Sequence, residues 1–275
     1  MPFVNPEKEL SLEKINLLHQ VQMPCYDDGK RFTETAKLDR IRHLLKDSTY
    51  TETKGNLFCL YTKCSPDSQA FENVVVISSH ADFVPAIRHP FLNVQSGGML
   101  KGTFDNAATN AAALFLMLYG DLPDNVFVAF TGNEESGMRG AVELDRFLCS
   151  RIGGHPCYLT LDVTDIGFKE KSFSIENTFS LPRPLFQEII GFAKETGLNG
   201  YCYPRALPDE AYAYARQGAH GCSICVPTKG PMHSDAGCKM ELRAYLGYVD
   251  VVGHIAKSLA NRLSRDLENI PNISL

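Results

Sequence analysis

Hydrophobic residues in the first fifty positions recur at the spacing of one helix face. One series comprises Leu12, Ile15 and Leu18, and a second comprises Leu38, Ile41, Leu44 and Leu45. Apolar side chains three or four positions apart lie on the same side of an α-helix. The pattern therefore predicts two amphipathic helices near the start of the chain.

Further along the chain, short apolar runs alternate with segments of helical periodicity. The apolar runs, rich in β-branched and aromatic residues, predict buried strands over 56–62, 73–79, 125–131, 157–163 and 222–227. Helical spacing predicts helices over 107–119, 140–149, 184–195, 210–217 and 242–267. Strands that alternate with helices are typical of a three-layer α/β/α sandwich with a mostly parallel central sheet.

The chain shows no change of composition typical of a linker. The longest turn-rich stretch runs from Arg88 to Gly102 and contains Pro90 and the pair Gly97-Gly98. We interpret it as a loop between two strongly patterned segments. Since the sequence also has no internal repeat, we expect residues 1–275 to form a single domain.

Composition narrows the class of protein. Of the 275 residues, 44% are hydrophobic and 21% are charged, which is typical of a globular chain. We expect no transmembrane helix and, because the acidic N-terminal stretch lacks the order of a signal peptide, a cytoplasmic location. The odd number of cysteines, nine, spread along the chain favours reduced thiols. A net charge of −5 provides no basic face for nucleic acid.

Residues suited to chemistry stand where predicted strands end or where a predicted helix begins. Because loops at the carboxyl ends of parallel strands converge, we expect these side chains to share one cleft. The set comprises His80, Asp82, Asp105, Glu134, Glu135, Asp162 and His233.

A cleft that gathers several ionised carboxylates needs cations to compensate their repulsion. A divalent metal is the simplest solution, and imidazole with carboxylate ligands favours zinc, with cobalt or manganese as alternatives. In the His80-x-Asp82 motif, we interpret Asp82 as holding the imidazole in the tautomer that binds metal. Of Glu134 and Glu135, one would bind metal while the other transfers protons, as metal-assisted hydrolysis requires.

Five segments of the chain occur in order between Val74 and Ala236: SSHADFVP, GTFDNAATNAAAL, FTGNEESGMRGA, LDVTD and MHSDA. Together they resemble the co-catalytic zinc exopeptidases, the superfamily of leucyl-type and deblocking aminopeptidases and their carboxypeptidase relatives. The resemblance implies the zinc-exopeptidase fold, two zinc ions and a peptide or amino acid derivative as substrate. It also implies a cis peptide between Asp105 and Asn106.

Carried over by motif, the resemblance implies a role for each candidate residue. The implied reaction is removal of the N-terminal residue of a peptide by a water shared between two metal ions. Glu134 would act as general base and acid, and Asp82 would support the first ligand. The implied ligands are His80 and Asp162 for one zinc ion, Glu135 and His233 for the other, and Asp105 as the bridge.

Two insertions found in relatives have no counterpart in this chain. The deblocking aminopeptidases have an inserted domain before the bridging aspartate, whereas only 25 positions separate His80 from Asp105. The 71 positions from Asp162 to His233 hold a helix and a strand of the main sheet, which leaves little for a dimerising lid. We therefore expect a compact aminopeptidase of the leucyl type. The sequence indicates neither a cage-like assembly nor any other oligomeric state.

Other functions stay open on the same scaffold. A carboxypeptidase, an N-acyl amino acid deacylase or a glutaminyl-cyclase-like acyltransferase would use similar residues, and a non-catalytic binding module would use the metal alone. Individual residues also have structural explanations. Asp105 is a suitable helix N-cap, and Glu134 and Glu135 would be favourable in the first turn of a helix.

Three further features indicate structure more than chemistry. Cys222 and Cys225 are expected to pack in the core, since their spacing turns the two thiols to opposite faces of a strand. His155, which stands next to a proline, is expected at the surface. Arg139 and Arg205 would suit a substrate carboxylate, which a carboxypeptidase needs, but isolated arginines are usually solvated.

Overall fold

The computed structural model describes residues 6–23, 26–27, 31–64, 74–204 and 207–268. Its helices are α1 (Pro6–Gln20), α2 (Thr35–Leu44), α3 (Ala107–Tyr119), α4 (Arg139–Ile152), α5 (Arg183–Glu195), α6 (Glu210–Gln217) and α7 (Leu242–Glu268). Its strands are β1 (Tyr26–Asp27), β2 (Arg31–Phe32), β3 (Thr51–Lys54), β4 (Phe58–Thr62), β5 (Val75–His80), β6 (Leu92–Gln95), β7 (Met99–Gly102), β8 (Val126–Thr131), β9 (Cys157–Thr164), β10 (Phe173–Glu176), β11 (Gly200–Tyr203), β12 (His220–Lys229) and β13 (Cys238–Glu241). No helix in these ranges is long and apolar enough to cross a membrane.

Eleven of the described strands form one mixed sheet. In its centre, β8, β5, β9 and β12 lie side by side and run parallel. The margins are antiparallel: β4 and β3 extend the sheet beyond β8, and β13, β7 and β6 extend it from the end of β12. β10 pairs antiparallel with β12 and parallel with β11. The predicted α/β/α architecture is confirmed, with parallel pairing in the four central strands and in the β10–β11 pair.

Helices cover both faces of this sheet, so the central strands are buried on two sides. Val75 and Ile77 of β5 pack into the core that includes α1, α3, α5 and α7, whereas Val76 packs into the core that includes α4 and α6. Successive side chains of a strand point to opposite faces. A strand covered on both faces is therefore apolar throughout, which explains the continuous apolar runs in the sequence.

Most predicted elements agree with the structure to within a few residues, and α3 and α6 have the predicted bounds. The interpretation of Arg88 to Gly102 as a loop is wrong, because this stretch contains the hairpin β6–β7. Gly97 and Gly98, each with a φ of 72°, form its turn. The side chains of β6 are all at least partly exposed. The hairpin therefore lacks the apolar pattern that marks a buried strand.

The turn between β8 and α4 packs at short range against the chain that precedes β4. A Cβ atom on Gly140 would lie 2.4 Å from the carbonyl oxygen of Gly132 and 2.5 Å from that of Leu57. The Gly140 N–H also donates to the Gly132 carbonyl at 3.0 Å. Only a residue without a side chain fits this approach, which fixes where the turn containing Glu134 and Glu135 lies.

We expect Gly140→Ala to lower the free energy of unfolding by about 1–3 kcal/mol, because the added methyl group would overlap two backbone oxygens. Gly191→Ala in α5 is the matched control, since a Cβ there meets no atom within 4 Å. Alanine is favoured over glycine inside a helix by about 0.5–1 kcal/mol. Urea unfolding measures both variants, and equal stability of Gly140→Ala and the wild type would contradict the close approach.

Candidate functional site

The candidate residues from the sequence meet at the carboxyl ends of the parallel strands. His80 is the last residue of β5, Asp162 lies near the end of β9, and His233 follows β12. Asp82 also follows β5, Asp105 follows β7, and Glu134 and Glu135 follow β8. A cavity of about 220 Å³ is lined by six of the candidates, namely His80, Asp105, Glu134, Glu135, Asp162 and His233. The seventh, Asp82, is fully buried beside them.

Asp105 lies between the two histidines. Its Oδ1 is 3.1 Å from Nε2 of His80, and its Oδ2 is 3.1 Å from Nε2 of His233. The residue is 6% exposed. One carboxylate oxygen thus faces each histidine, which is the arrangement that a bridging ligand requires.

Buried amide side chains hold Asp105 in place. The peptide between Asp105 and Asn106 is cis, as the resemblance implies. Asn106 donates from Nδ2 to the carbonyl of Leu161 on β9 at 2.8 Å, and Asn110 donates to the carbonyl of His80 at 2.8 Å. Both amides are fully buried. The first turn of α3 is therefore tied to the ends of β5 and β9.

Two groups of three potential ligands share Asp105. His80 and Asp162 complete one group, Glu135 and His233 complete the other, and within each group the ligand atoms lie within 4.8 Å of one another. A tetrahedral zinc ion keeps nitrogen and oxygen ligands about 3.3–3.5 Å apart. The separations of 3.1 Å and 3.9 Å from His80 to the two aspartates, and of 3.8 Å from His233 to Glu135, lie on either side of that value.

Two carboxylate oxygens in these groups are buried and have no hydrogen-bond partner: Oδ1 of Asp105 and Oε1 of Glu135. The close contact between Asp105 Oδ1 and His80 does not have the geometry of a hydrogen bond. Burying a charged oxygen without a partner is unfavourable. A divalent cation in each group would satisfy both oxygens, so the residues present fit two metal ions.

Asp82 contacts two motifs from its buried position. Its backbone carbonyl and its Oδ1 lie 3.2 Å and 3.4 Å from Nδ1 of His80, which leaves Nε2 to face Asp105. Its carboxylate also accepts the backbone N–H groups of Glu134 and Glu135, each at 3.3 Å. One carboxylate therefore positions both the imidazole and the glutamate turn.

Burial and mutual repulsion oppose ionisation of several acids in the cavity. Burial raises the pKa of Glu134 to about 9, and the carboxylates of Asp162 and Glu135 add to the effect. Burial raises the pKa of Glu135 to about 7 and that of Asp162 to about 6, with Asp105 contributing to both. Against the effect of burial, contacts with carboxylates raise the pKa of His80 well above its ordinary value. The charge of bound divalent cations would offset the repulsion between the acids.

Two structural explanations considered from the sequence are wrong. The N-cap of α3 is Asn106 and not Asp105, and its side chain makes no capping hydrogen bond. Because α4 begins at Arg139, neither Glu134 nor Glu135 lies in its first turn. These three carboxylates therefore do not stabilise a helix end.

Other acids near the cavity were missed by the sequence analysis. Asp165, Glu176 and Asp209 line it. Glu210 is 1% exposed and accepts a hydrogen bond from the hydroxyl of Thr131 at the end of β8. Asp209 stands directly before the predicted helix over 210–217, and the structure has it as the N-cap of α6, where it accepts the Ala211 N–H. Such a pattern indicates helix geometry and says nothing about a cavity.

Comparison with known proteins gives matches in structure and none in sequence. No protein-family model and no curated protein matches the chain. The TET aminopeptidase of a marine-sediment Thaumarchaeota archaeon has a TM-score of 0.71 at 14% identity, over 94% of this chain and 99% of its own. An aminopeptidase of Desulfurococcus kamchatkensis has a TM-score of 0.70 at 11% identity, over 97% of this chain and 100% of its own.

A third match is the TET1 peptidase of Pyrococcus horikoshii, described as assembling into a tetrahedron or a large octahedral shell. Its TM-score is 0.65 at 15% identity, over 90% of this chain and 99% of its own. These three structural neighbours are described as aminopeptidases or peptidases, and the chain has their fold. The resemblance found in the sequence is confirmed at the level of the fold.

We expect Asp82→Asn to weaken divalent metal binding by about 10- to 100-fold while the fold is retained. The amide nitrogen of asparagine would face either His80 or a backbone N–H, so one donor would lose its acceptor. Zinc titration of the metal-free protein against a competing chelator measures the change. Asp250→Asn, which removes a surface carboxylate paired with Lys14, is the control. Unchanged zinc affinity in Asp82→Asn would rule out the positioning role.

Proposed function

We propose that this protein is an aminopeptidase that removes N-terminal residues from peptides with the help of two zinc ions. The observation that supports the proposal is the pair of ligand groups that share one buried carboxylate at the ends of the parallel strands. The fold, which is that of known aminopeptidases, agrees with it. Cobalt or manganese would suit the same ligands. The proposed ligands are His80 and Asp162 for one ion, Glu135 and His233 for the other, and Asp105 for both.

Glu134 is the residue in the best position to move protons. When bound, the metal ions would polarise the scissile carbonyl group and lower the pKa of the attacking water. The Glu134 carboxylate lies within 4.8 Å of ligand atoms of His80 and Glu135 but belongs to neither group centred on Asp105. It would take a proton from water and deliver it to the nitrogen of the leaving amine.

The charge of the cavity favours the amino end of a substrate over the carboxyl end. Beyond Glu134 and the proposed ligands, Asp165, Glu176 and Asp209 line the cavity, and the described lining residues include no lysine or arginine. Acidic surroundings stabilise a cationic α-amine, whereas a C-terminal carboxylate needs a basic partner. Arg205, considered as such a partner, lies outside the described residues.

We also propose that the chain works as a compact single domain without a lid. Apart from residues 205 and 206, the interval between Asp162 and His233 is described. It contains β10, β11 and β12 of the main sheet, with α5 packed on α7 and α6 packed on α4. The helices and strands of this interval therefore belong to the layers of the sandwich.

We expect Glu134→Gln to lower kcat by about 10²- to 10⁴-fold, because the amide cannot accept the proton from water. Metal analysis should give the same number of bound ions as in the wild type. The matched control is Glu143→Gln on α4, whose carboxylate accepts only the exposed Asn56 N–H among the hydrogen bonds described for it. Wild-type turnover in Glu134→Gln would exclude Glu134 as the general base.

We expect aminoacyl substrates with a free amine to be cleaved about 100-fold or more faster than their N-acetylated counterparts, since acetylation removes the cation that the acidic cavity binds. A fluorogenic panel, with metal content measured on the same sample, tests this. Preference for blocked amines with a free C-terminal carboxylate would instead support a carboxypeptidase or deacylase. No hydrolysis of any member while two ions are bound would support a non-catalytic module.

A further inference from the structure

A second cluster of metal-ligating side chains lies at the other end of α4, away from the cavity. Asp145 and Cys149 are one turn apart on the last two turns of this helix and therefore lie on the same face. His155 lies in the segment that connects α4 to β9, and its side chain contacts Cys149 on α4. Gly153, with a φ of 74°, ends the helix and permits the reversal. β9 begins at Cys157, so the cluster lies at the opposite end of that strand from Asp162.

One ligand atom from each of Asp145, Cys149 and His155 lies within 4.8 Å of the other two. Nδ1 of His155 is 2.9 Å from Sγ of Cys149 and 3.1 Å from each carboxylate oxygen of Asp145. The thiol and Oδ1 of Asp145 are 3.8 Å apart. In a tetrahedral zinc site, sulfur lies about 3.6 Å from nitrogen or oxygen ligands, and nitrogen and oxygen lie about 3.3–3.5 Å apart. The observed separations are within about 0.7 Å of these values, which small side-chain rotations can supply.

One proton on Nδ1 of His155 can be shared by the two oxygens of Asp145, and the thiol can donate to Oδ1, but the 2.9 Å contact between Nδ1 and Sγ then has no proton of its own. Nδ1 of an imidazole has either one proton to donate or one lone pair to accept. It nevertheless faces the Cys149 sulfur and both oxygens of Asp145 at hydrogen-bonding distance. The Asp145 carboxylate is 1% exposed, while the His155 side chain is 37% exposed. A metal ion among these atoms would be coordinated by the sulfur, the nitrogen and a carboxylate oxygen at once. It would also be reachable from solvent.

The arrangement does not suit a catalytic Cys-His-Asp triad. Such a triad uses the two ring nitrogens separately, one toward the nucleophile and the other toward the carboxylate. Here both partners face Nδ1, and Nε2 points toward Gly218, where an added Cβ would lie 3.5 Å away.

We propose that Asp145, Cys149 and His155 form a structural site for a thiophilic divalent cation, with zinc as the fitting example. Sulfur, nitrogen and oxygen ligands together favour zinc over magnesium or calcium. Binding would release the Cys149 thiol proton to solvent. The Tyr158 hydroxyl donates to Oδ1 of Asp145 at 3.0 Å and would orient that ligand from β9. The bound ion would tie the end of α4 to the start of β9.

The thiol ligand makes the site separable from the cavity by spectroscopy. All the proposed ligands in the cavity are nitrogen or oxygen, so cobalt bound there gives no thiolate-to-cobalt charge-transfer band. We expect the reduced protein comprising residues 1–275, titrated with cobalt(II), to show this near-ultraviolet band and to bind one ion more per chain than Cys149→Ser. The variant His155→Ala should lose the band as well, which separates loss of the site from misfolding of one variant.

Two cysteine controls locate the band. Cys64→Ser removes a half-buried thiol elsewhere, and Cys225→Ser removes the thiol that lines the cavity. Both should keep the band. The proposal is overturned if the wild type shows no band, if the band survives in Cys149→Ser, or if it disappears in Cys225→Ser. Equal zinc stoichiometry in wild type and Cys149→Ser by equilibrium dialysis would overturn it independently. Neither measurement depends on peptidase activity.

Discussion

Repulsion between buried carboxylates is the constraint on which this structure depends. Four parallel strands end side by side, and the segments at these ends bring Asp105, Glu134, Glu135 and Asp162 to one cavity. Away from water, like charges at this spacing cannot all be ionised without a compensating cation. Burial and the neighbouring carboxylates accordingly raise the pKa values of Glu134, Glu135 and Asp162. The two histidines pair with Asp105 and offset only part of the repulsion, so the acids that stay unpaired would be compensated by the proposed divalent ions.

The groups that position the proposed ligands are mostly neutral. Asn106 and Asn110 bond to backbone carbonyls, and Ser79 contacts Thr109 at 2.8 Å in the same buried layer. A lysine in these positions would neutralise the acids directly and compete with a metal ion for them. Neutral amides and hydroxyls fix the geometry without supplying that charge. Asp82 is the acidic exception. Its carboxylate contacts the His80 imidazole and accepts hydrogen bonds from two backbone N–H groups.

The sequence predicted those parts of the fold in which one physical signal dominates. The bounds of α3 were predictable because the alanine-rich run between Asp105 and Gly120 favours a helix. The central strands were predictable because burial on two faces makes them apolar. The β6–β7 hairpin was not, since its exposed side chains follow no apolar pattern. Glu210 could not be foreseen either. Its partners Ser78 and Thr131 are more than seventy positions away, and only the folded sheet brings them together.

The helix α4 connects the two clusters of potential ligands, so an ion bound at one end would restrain the segment at the other end. Its start follows the turn with Glu134 and Glu135, and its last turns present Asp145 and Cys149. Two buried tyrosines lie on the same face of the sheet: Tyr158, which donates to Asp145, stacks on Tyr214 with ring centroids 3.6 Å apart. An ion at the far end would restrain both the helix and β9, and so the two segments that supply a glutamate turn and Asp162 to the cavity. Packed elements transmit such restraint because close-packed interiors deform little.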